Sequence, residues 1–185
     1  MTLGDYFDQS IKDVIPNSVT NLIFGRHFDQ NIEGYIPNSV TNLILGSYFN
    51  NKLIIPNSVT HLTIENGSFD EPIPNSVKHL KINSGFLSKK NRKFIPSSVT
   101  HLTFGDHFDC LFKKERIPNW ITHLTFESEE YIMLEEGSIP NSVVEIFCHY
   151  HEPYTNQFHI ELLPSSVKKF KNLNYEWDLV DGEWK

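Results

Sequence analysis

The sequence predicts a β-solenoid: coils of about 21 to 22 residues, stacked so that their strands form one continuous parallel sheet, with a mostly irregular convex side. Three observations carry the prediction. The phrase Ile15-Pro16-Asn17-Ser18 returns at Ile36-Pro37, Ile55-Pro56, Ile73-Pro74, Ile95-Pro96, Ile117-Pro118 and Ile139-Pro140, and once more as Leu163-Pro164; the prolines are 21, 19, 18, 22, 22, 22 and 24 residues apart. Each phrase is followed by the same apolar beats, first as Val19, Leu22 and Phe24. Leu22 and Phe24 are two apart and so share one face of a short strand. Finally, the stretch from the end of each strand to the next Ile-Pro is about 10 residues, too short for an average helix and its two connections.

Taken in order, the chain begins inside a coil. Leu3-Gly4-Asp5-Tyr6-Phe7-Asp8 matches the second half of a repeat, as in Phe24-Gly25-Arg26-His27-Phe28-Asp29, so residues 1–14 read as a partial first coil. An open first coil exposes strand edge and core. It is expected either to fray or to be covered by preceding chain, a partner or a second copy. Residues 15–171 are the repeats. Proline fixes its own φ and pushes the preceding isoleucine to an extended conformation, and Asn and Ser then make a corner. The beats recur as Val40, Leu43, Leu45, Phe49; Val59, Leu62, Ile64, Phe69; Val77, Leu80, Ile82, Phe86; Val99, Leu102, Phe104, Phe108; Ile121, Leu124, Phe126; Val143, Ile146, Cys148; and Val167, Phe170, Leu173. Residues 172–185 break the pattern. Tyr175, Trp177 and Trp184 are expected on the core side of a C-terminal cap, with Asp178, Asp181 and Glu183 outside. The whole of 1–185 reads as a single repeat domain.

Composition narrows the function. The 185 residues are 39% hydrophobic and 21% charged, and the formal net charge is −7. That balance argues against a nucleic-acid or anionic-membrane surface, both of which need excess positive charge. Two cysteines, Cys110 and Cys148, make no disulfide framework and no four-ligand zinc site. The N-terminus lacks the basic and apolar regions of a signal peptide, and no apolar run reaches the length of a membrane span. The expectation is a soluble protein in a reducing, intracellular compartment.

The phrase Ile-Pro-Asn-Ser-Val-Thr-His-Leu-Thr-Phe-Gly, with Phe28-Asp29, Phe49-Asn50, Phe69-Asp70 or Phe108-Asp109 shortly after, resembles the FNIP repeat, also called the IP22 repeat. The resemblance runs from Met1 to Phe170 and implies a fold similar to leucine-rich repeats. The family is abundant in social amoebae and giant DNA viruses, which implies the host cytoplasm if this chain is viral. Many members carry an upstream F-box, implying substrate recruitment to a ubiquitin ligase, and this chain starts directly in a repeat. The family supplies no catalytic residues.

The outward strand positions form two columns. One reads Asn21, Asn42, His61, His79, His101, His123, Glu145, Lys169; the other reads Ile23, Ile44, Thr63, Lys81, Thr103, Thr125, Phe147, Lys171. Repeat proteins bind through extended surfaces of this kind, so these columns are the candidate contact face; the alternative is a solvated sheet side with Thr chosen for β-propensity. Trp120 interrupts the Ser column at a corner and is either a binding anchor or packed on a neighbouring loop. Four successive histidines suggest a metal ligand set, but parallel neighbours do not converge on one ion. Stacked imidazoles also titrate near neutrality and repel when charged, so the face is a candidate pH sensor. Cys110 near His107, and Cys148 near His149 and His151, pair thiol with imidazole; Cys148 falls on an inward beat and Cys110 has no third group to orient it. The column Asn17, Asn38, Asn57, Asn75, Asn119, Asn141, with Ser97 and Ser165 as departures, is expected to satisfy corner backbone groups coil after coil. Glu127, Glu129, Glu130, Glu135 and Glu136 read as a solvated acidic loop, and Lys168, Lys169 and Lys171 as a small basic spot.

The sequence therefore predicts a non-catalytic scaffold that binds a protein partner through its strand-lined face, without cofactor, metal, nucleic acid or membrane. The alternatives are a structural module that self-assembles into a homo-oligomer through the open N-terminal coil, and a metal or small-ligand site on the histidine ladder.

Overall fold

Every coil turns at its proline. The N–H of Val19 donates to the carbonyl of Pro16 at 3.0 Å, and the same turn closes at Pro37, Pro56, Pro74, Pro96, Pro118, Pro140 and Pro164. Proline's preset φ and missing N–H suit it to the head of such a turn. The computed structural model describes residues 1–185 apart from 53, 67–70, 86–91, 109–110, 129–131, 150–159, 181–182 and 185. The expected inward Phe69 and Phe86, and Cys110, lie outside the described residues.

After each corner comes a strand of the main sheet: β1 (Asn21–Ile23), β2 (Asn42–Leu45), β3 (His61–Ile64), β4 (His79–Gly85), β5 (His101–Phe108), β7 (His123–Phe126), β9 (Glu145–Cys148) and β10 (Lys169–Asn172). These eight pair in parallel in that order. The register stacks Leu22, Leu43, Leu62, Leu80, Leu102, Leu124, Ile146 and Phe170 in one file. Beside it runs Leu45, Ile64, Ile82, Phe104, Phe126 and Cys148. Both files face inward, and their side chains are buried down to Cys148. Each buried Leu, Ile or Phe contributes about 1.5–3 kcal/mol, and a lone coil has nothing to bury it against. The eight coils stack into a parallel β-solenoid.

The convex side is built from turns and short pieces. Two short strands, β6 (Leu111–Phe112) and β8 (Met133–Leu134), pair in parallel there, and a 3-10 helix covers Ile160–Leu162. Phe7, Phe28 and Phe49 stack at 6.2 and 6.4 Å, and Phe104 gathers Phe108, Phe112 and Phe126 within 4.4 to 5.5 Å. Two residues before the isoleucine of the phrase, the backbone is left-handed at Asp13, Gly34, Glu115 and Gly137, with φ of 59°, 74°, 65° and 73°. Glycine adopts that conformation freely, while Asp13 and Glu115 hold it at a cost of order 1 kcal/mol. Close stacking excludes side chains elsewhere: a Cβ on Gly46 would lie 2.0 Å from the carbonyl oxygen of Gly25.

Two expectations about polar corners change. The asparagines Asn17, Asn38, Asn57, Asn75, Asn119 and Asn141 are all exposed. The inter-coil bonds at the corner come from the following serine, which the turn aims at the coil below. Ser39, Ser98 and Ser142 donate through Oγ to the carbonyls of Val19, Val77 and Ile121 at 2.7, 3.0 and 2.6 Å. In contrast, the Oγ atoms of Ser58, Ser76 and Ser166 are buried without a partner. The bonded serines close proline steps of 21, 22 and 22 residues, and the orphans close steps of 19, 18 and 24. The serine bond thus goes with coils of the common length, while the backbone bond just after the corner, as from the Thr60 and Lys78 N–H groups to Thr41 and Thr60, forms in the shorter coils as well.

The C-terminal end also differs. Strand alternation gives the inward place opposite Cys148 to Asn172, which is buried, and Leu173 is 46% exposed. Asn172 Oδ1 accepts the N–H groups of Asn174 and Tyr175 at 2.9 and 2.7 Å and reverses the chain. Strands β11 (Glu176–Val180) and β12 (Glu183–Trp184) then continue the sheet antiparallel, so the sheet is parallel only through β10. Trp177 packs on Phe170 at 5.6 Å, whereas Tyr175, expected inside, is 49% exposed because the reversal carries it past the core.

Replacing Ser98 by Ala is expected to lower unfolding stability by about 1 kcal/mol, while Ser58→Ala, which removes an unpartnered buried hydroxyl, leaves it unchanged or raises it. Chemical denaturation of the two variants side by side checks this, and equal losses would dissolve the link between coil length and the corner bond.

Candidate functional site

The parallel register carries the outward positions into columns as strictly as the inward ones. Asn21, Asn42, His61, His79, His101, His123, Glu145 and Lys169 pair in sequence, and so do Ile23, Ile44, Thr63, Lys81, Thr103, Thr125, Phe147 and Lys171. All sixteen are at least partly exposed. The structure therefore gathers on one face every expected contact residue but Trp120. That residue sits at the corner before β7, half-buried against the core, with Nε1 buried and without a partner.

Four imidazoles form the centre of the face. The ring centroids of His61–His79, His79–His101 and His101–His123 are 4.3, 4.2 and 4.2 Å apart; the outer pairs are stacked nearly parallel and the middle pair is tilted by 33°. The threonine before three of them touches the ring: Thr60, Thr100 and Thr122 place Oγ1 2.9, 2.9 and 2.8 Å from Nδ1 of His61, His101 and His123. Rings held this way lie side by side. Among the described residues no group of three or more His, Cys, Asp or Glu is arranged to hold a metal ion.

Burial between the neighbouring rings pushes His101 down to about 4, and charge on His123 and His79 adds to the effect. His79 is lowered by the same causes, burial first and then charge on His61 and His123. The ladder ends in an ionic network. Glu145 Oε2 lies 4.0 Å from His123 Nε2, and its Oε1 is 3.1 Å from Lys171 Nζ. Glu176 takes Lys171 and Lys169 at 3.3 and 3.5 Å. Bonds from Lys171, and then from Lys169, hold the Glu176 carboxyl below its usual range. In the second column Lys81 reaches across to Glu127 at 2.5 Å.

Other sequence candidates fall elsewhere. Cys148 is buried, and burial pushes its thiol up, so it holds no thiolate at neutral pH. One group that sequence reasoning left without a role is the aspartate of Phe-Asp. Asp8 Oδ1 accepts the N–H of Asp29 at 3.0 Å and Gln30 Nε2 at 2.8 Å; Asp29 Oδ1 accepts the N–H groups of Asn50 and Asn51 at 2.7 and 3.0 Å. The first of these bonds does most to hold the Asp8 carboxyl low. An acceptor at the same place in successive repeats was the available signal. Among the described residues, clefts open at the Ile-Pro corners, such as one of about 410 Å³ lined in part by Arg92, Asn119 and Ser138 and one of about 470 Å³ lined in part by Asn17, Ile32 and Asn38.

The FNIP repeat profile matches residues 1–27, 7–48, 28–67, 49–84, 66–107 and 108–151. The chain belongs to the FNIP repeat family. Among solved structures, this FNIP-repeat chain is similar to CroV588, described as a novel circular LRR protein. The two share 31% identity with a TM-score of 0.57, over 93% of this chain and 30% of that one. The chain thus spans less than a third of the length of that relative. Curated proteins give no match. No helix among the described residues is long and apolar enough to cross a membrane.

The histidine ladder sets a pH dependence. Unfolded imidazoles titrate near 6.5, and folded His79 and His101 titrate lower. Below 6.5 the unfolded chain holds more protons than the folded one, so stability is full above 6.5 and is lost as pH falls toward about 4. Thermal melts across that window should show a falling midpoint, and His101→Phe, which keeps a stacking ring, should flatten the fall. An identical pH profile for the variant would clear His101 of the effect.

Proposed function

We infer that this FNIP-repeat chain is a non-catalytic protein–protein interaction scaffold that binds its partner through the strand-lined face. The observation that carries the reading is the face itself. Two columns of partly exposed side chains run over eight strands in unbroken register, changing from Asn and Ile through His and Thr to an ionic network. Repeat families use such surfaces for extended contacts. A rigid sheet loses little conformational entropy when it binds, which favours recognition by shape and polar complementarity. The leucine-rich-repeat-like fold fits this role.

The test compares the full chain with a variant carrying His79→Glu and His101→Glu, which places two carboxylates in the middle of the face. Each serves as bait for partners that are identified by mass spectrometry. The variant is expected to lose the partners of the parent while retaining its circular-dichroism spectrum. An unchanged partner set would move the binding surface off these columns.

A further inference from the structure

The direction of the protons on the ladder says what the face binds. The carbonyls of Thr41, Lys78 and Thr100 each already accept two backbone N–H groups. These are Thr60 and His61 at 2.9 and 3.1 Å, Thr100 and His101 at 3.0 and 3.2 Å, and Thr122 and His123 at 3.0 and 3.1 Å. A carbonyl oxygen has two lone pairs. The Thr60 and Thr122 hydroxyls lie 3.4 and 3.2 Å from two of these filled oxygens, and closer, at 2.9 and 2.8 Å, to an imidazole Nδ1. The single hydroxyl proton therefore goes to Nδ1. In the two coils before the ladder the contact runs both ways: Thr41 donates to Asn42 Oδ1 at 2.9 Å, and Asn21 Nδ2 donates to Thr20 Oγ1 at 3.2 Å, so it is the filled carbonyls that set the direction at the histidines. A neutral ring that accepts at Nδ1 carries its own proton on Nε2.

The Nε2 atoms are available. No described residue hydrogen-bonds Nε2 of His61, His79 or His101, and none of these atoms is among the buried groups without a partner. At the last ring the chain itself places a carboxylate nearby: Glu145, held by Lys171 at 3.1 Å, lies 4.0 Å from His123 Nε2. The other charges facing the ladder are accounted for. Lys81 is paired with Glu127, Glu145 with Lys171, and Glu176 with Lys169 and Lys171. Glu65 accepts from Asn83 at 2.6 Å, and Lys78, beside His79, is exposed.

The geometry points to a column of N–H donors, His61, His101 and His123, with His79 stacked between the first two, that receives the carboxylates of an acidic segment of a partner protein laid along the solenoid axis. This rests on the docking role of the face and names its partner's chemistry. The ring centroids follow one another at 4.2 to 4.3 Å along the solenoid axis, so the donors form one continuous row. Protonation adds charge to the same donors and removes none of them. A carboxylate over the ladder also offsets the burial that keeps His79 and His101 neutral, so complex formation takes up protons and strengthens in mild acid.

The probe is a fluorescent oligoglutamate peptide of about ten residues, followed by anisotropy with the full chain at pH about 7.5 and about 5.5. Recovery of one histidine from the lowered to the ordinary range makes binding about tenfold tighter at the lower pH. The variant His79→Phe plus His101→Phe keeps stacked rings without the two N–H groups, and should lose both the affinity and its pH dependence. Absence of oligoglutamate binding would overturn the proposal, as would stronger binding of an oligolysine of equal length or of oligodeoxythymidine. Unchanged oligoglutamate binding by the Phe variant would overturn it too. Nitrogen-15 shifts of the parent's histidines give a reading independent of variant folding: protons on Nδ1 in place of Nε2 would also sink it. If these results go against the acidic segment while His79→Glu plus His101→Glu still loses its partners, the docking face stands and only its chemistry falls.

Discussion

The structure depends on the backbone ladder between successive coils. Each of the eight strands paired in parallel in the main sheet is three to eight residues long, and none has a face it can bury alone. Parallel pairing places every residue over its counterpart in the coil before, and one register then settles both sides of the sheet. Leu43 over Leu22 and Leu62 over Leu43 make the core; His79 over His61 and His101 over His79 make the outer face. A shift of one residue would turn the leucines outward and the histidines inward in the same step. Core and surface therefore cannot vary independently.

The polar groups follow the same arithmetic. A carboxylate at Asp8 or Asp29 meets the backbone N–H of the next coil, and a serine at the corner meets the carbonyl of the previous one. Such bonds form because identical positions sit one above another. Where a coil is shorter or longer than its neighbours, as before Ser58, Ser76 and Ser166, the serine is buried with no acceptor. The solenoid accommodates variation in length by giving up a bond at the corner while keeping the strand in register.

At the histidines this periodicity works against the preference of the groups being stacked. Imidazoles 4.2 Å apart are easy neighbours when neutral and poor ones when charged, because each shields the next from water and its charge is felt across the stack. The sheet holds them together anyway, since its core supplies the stability. The result is a row of imidazoles in which burial and mutual repulsion hold His79 and His101 below the ordinary histidine range.

The sequence by itself determined the period, the inward and outward alternation and hence the two surface columns, because each follows from spacing along the chain: two residues between neighbours on a strand face, about 21 between neighbours in a file. The phrase Ile-Pro-Asn-Ser likewise located every corner. Only the tertiary structure decided which corner side chain bonds the next coil, that Asn172 rather than Leu173 takes the inward place, and that Trp120 leans on the core. It also decided that the threonine hydroxyls meet the imidazoles. Those outcomes turn on distances of a few tenths of an ångström between residues of different coils. Local periodicity carries no information at that scale, because the stacking that sets such distances belongs to all the coils together.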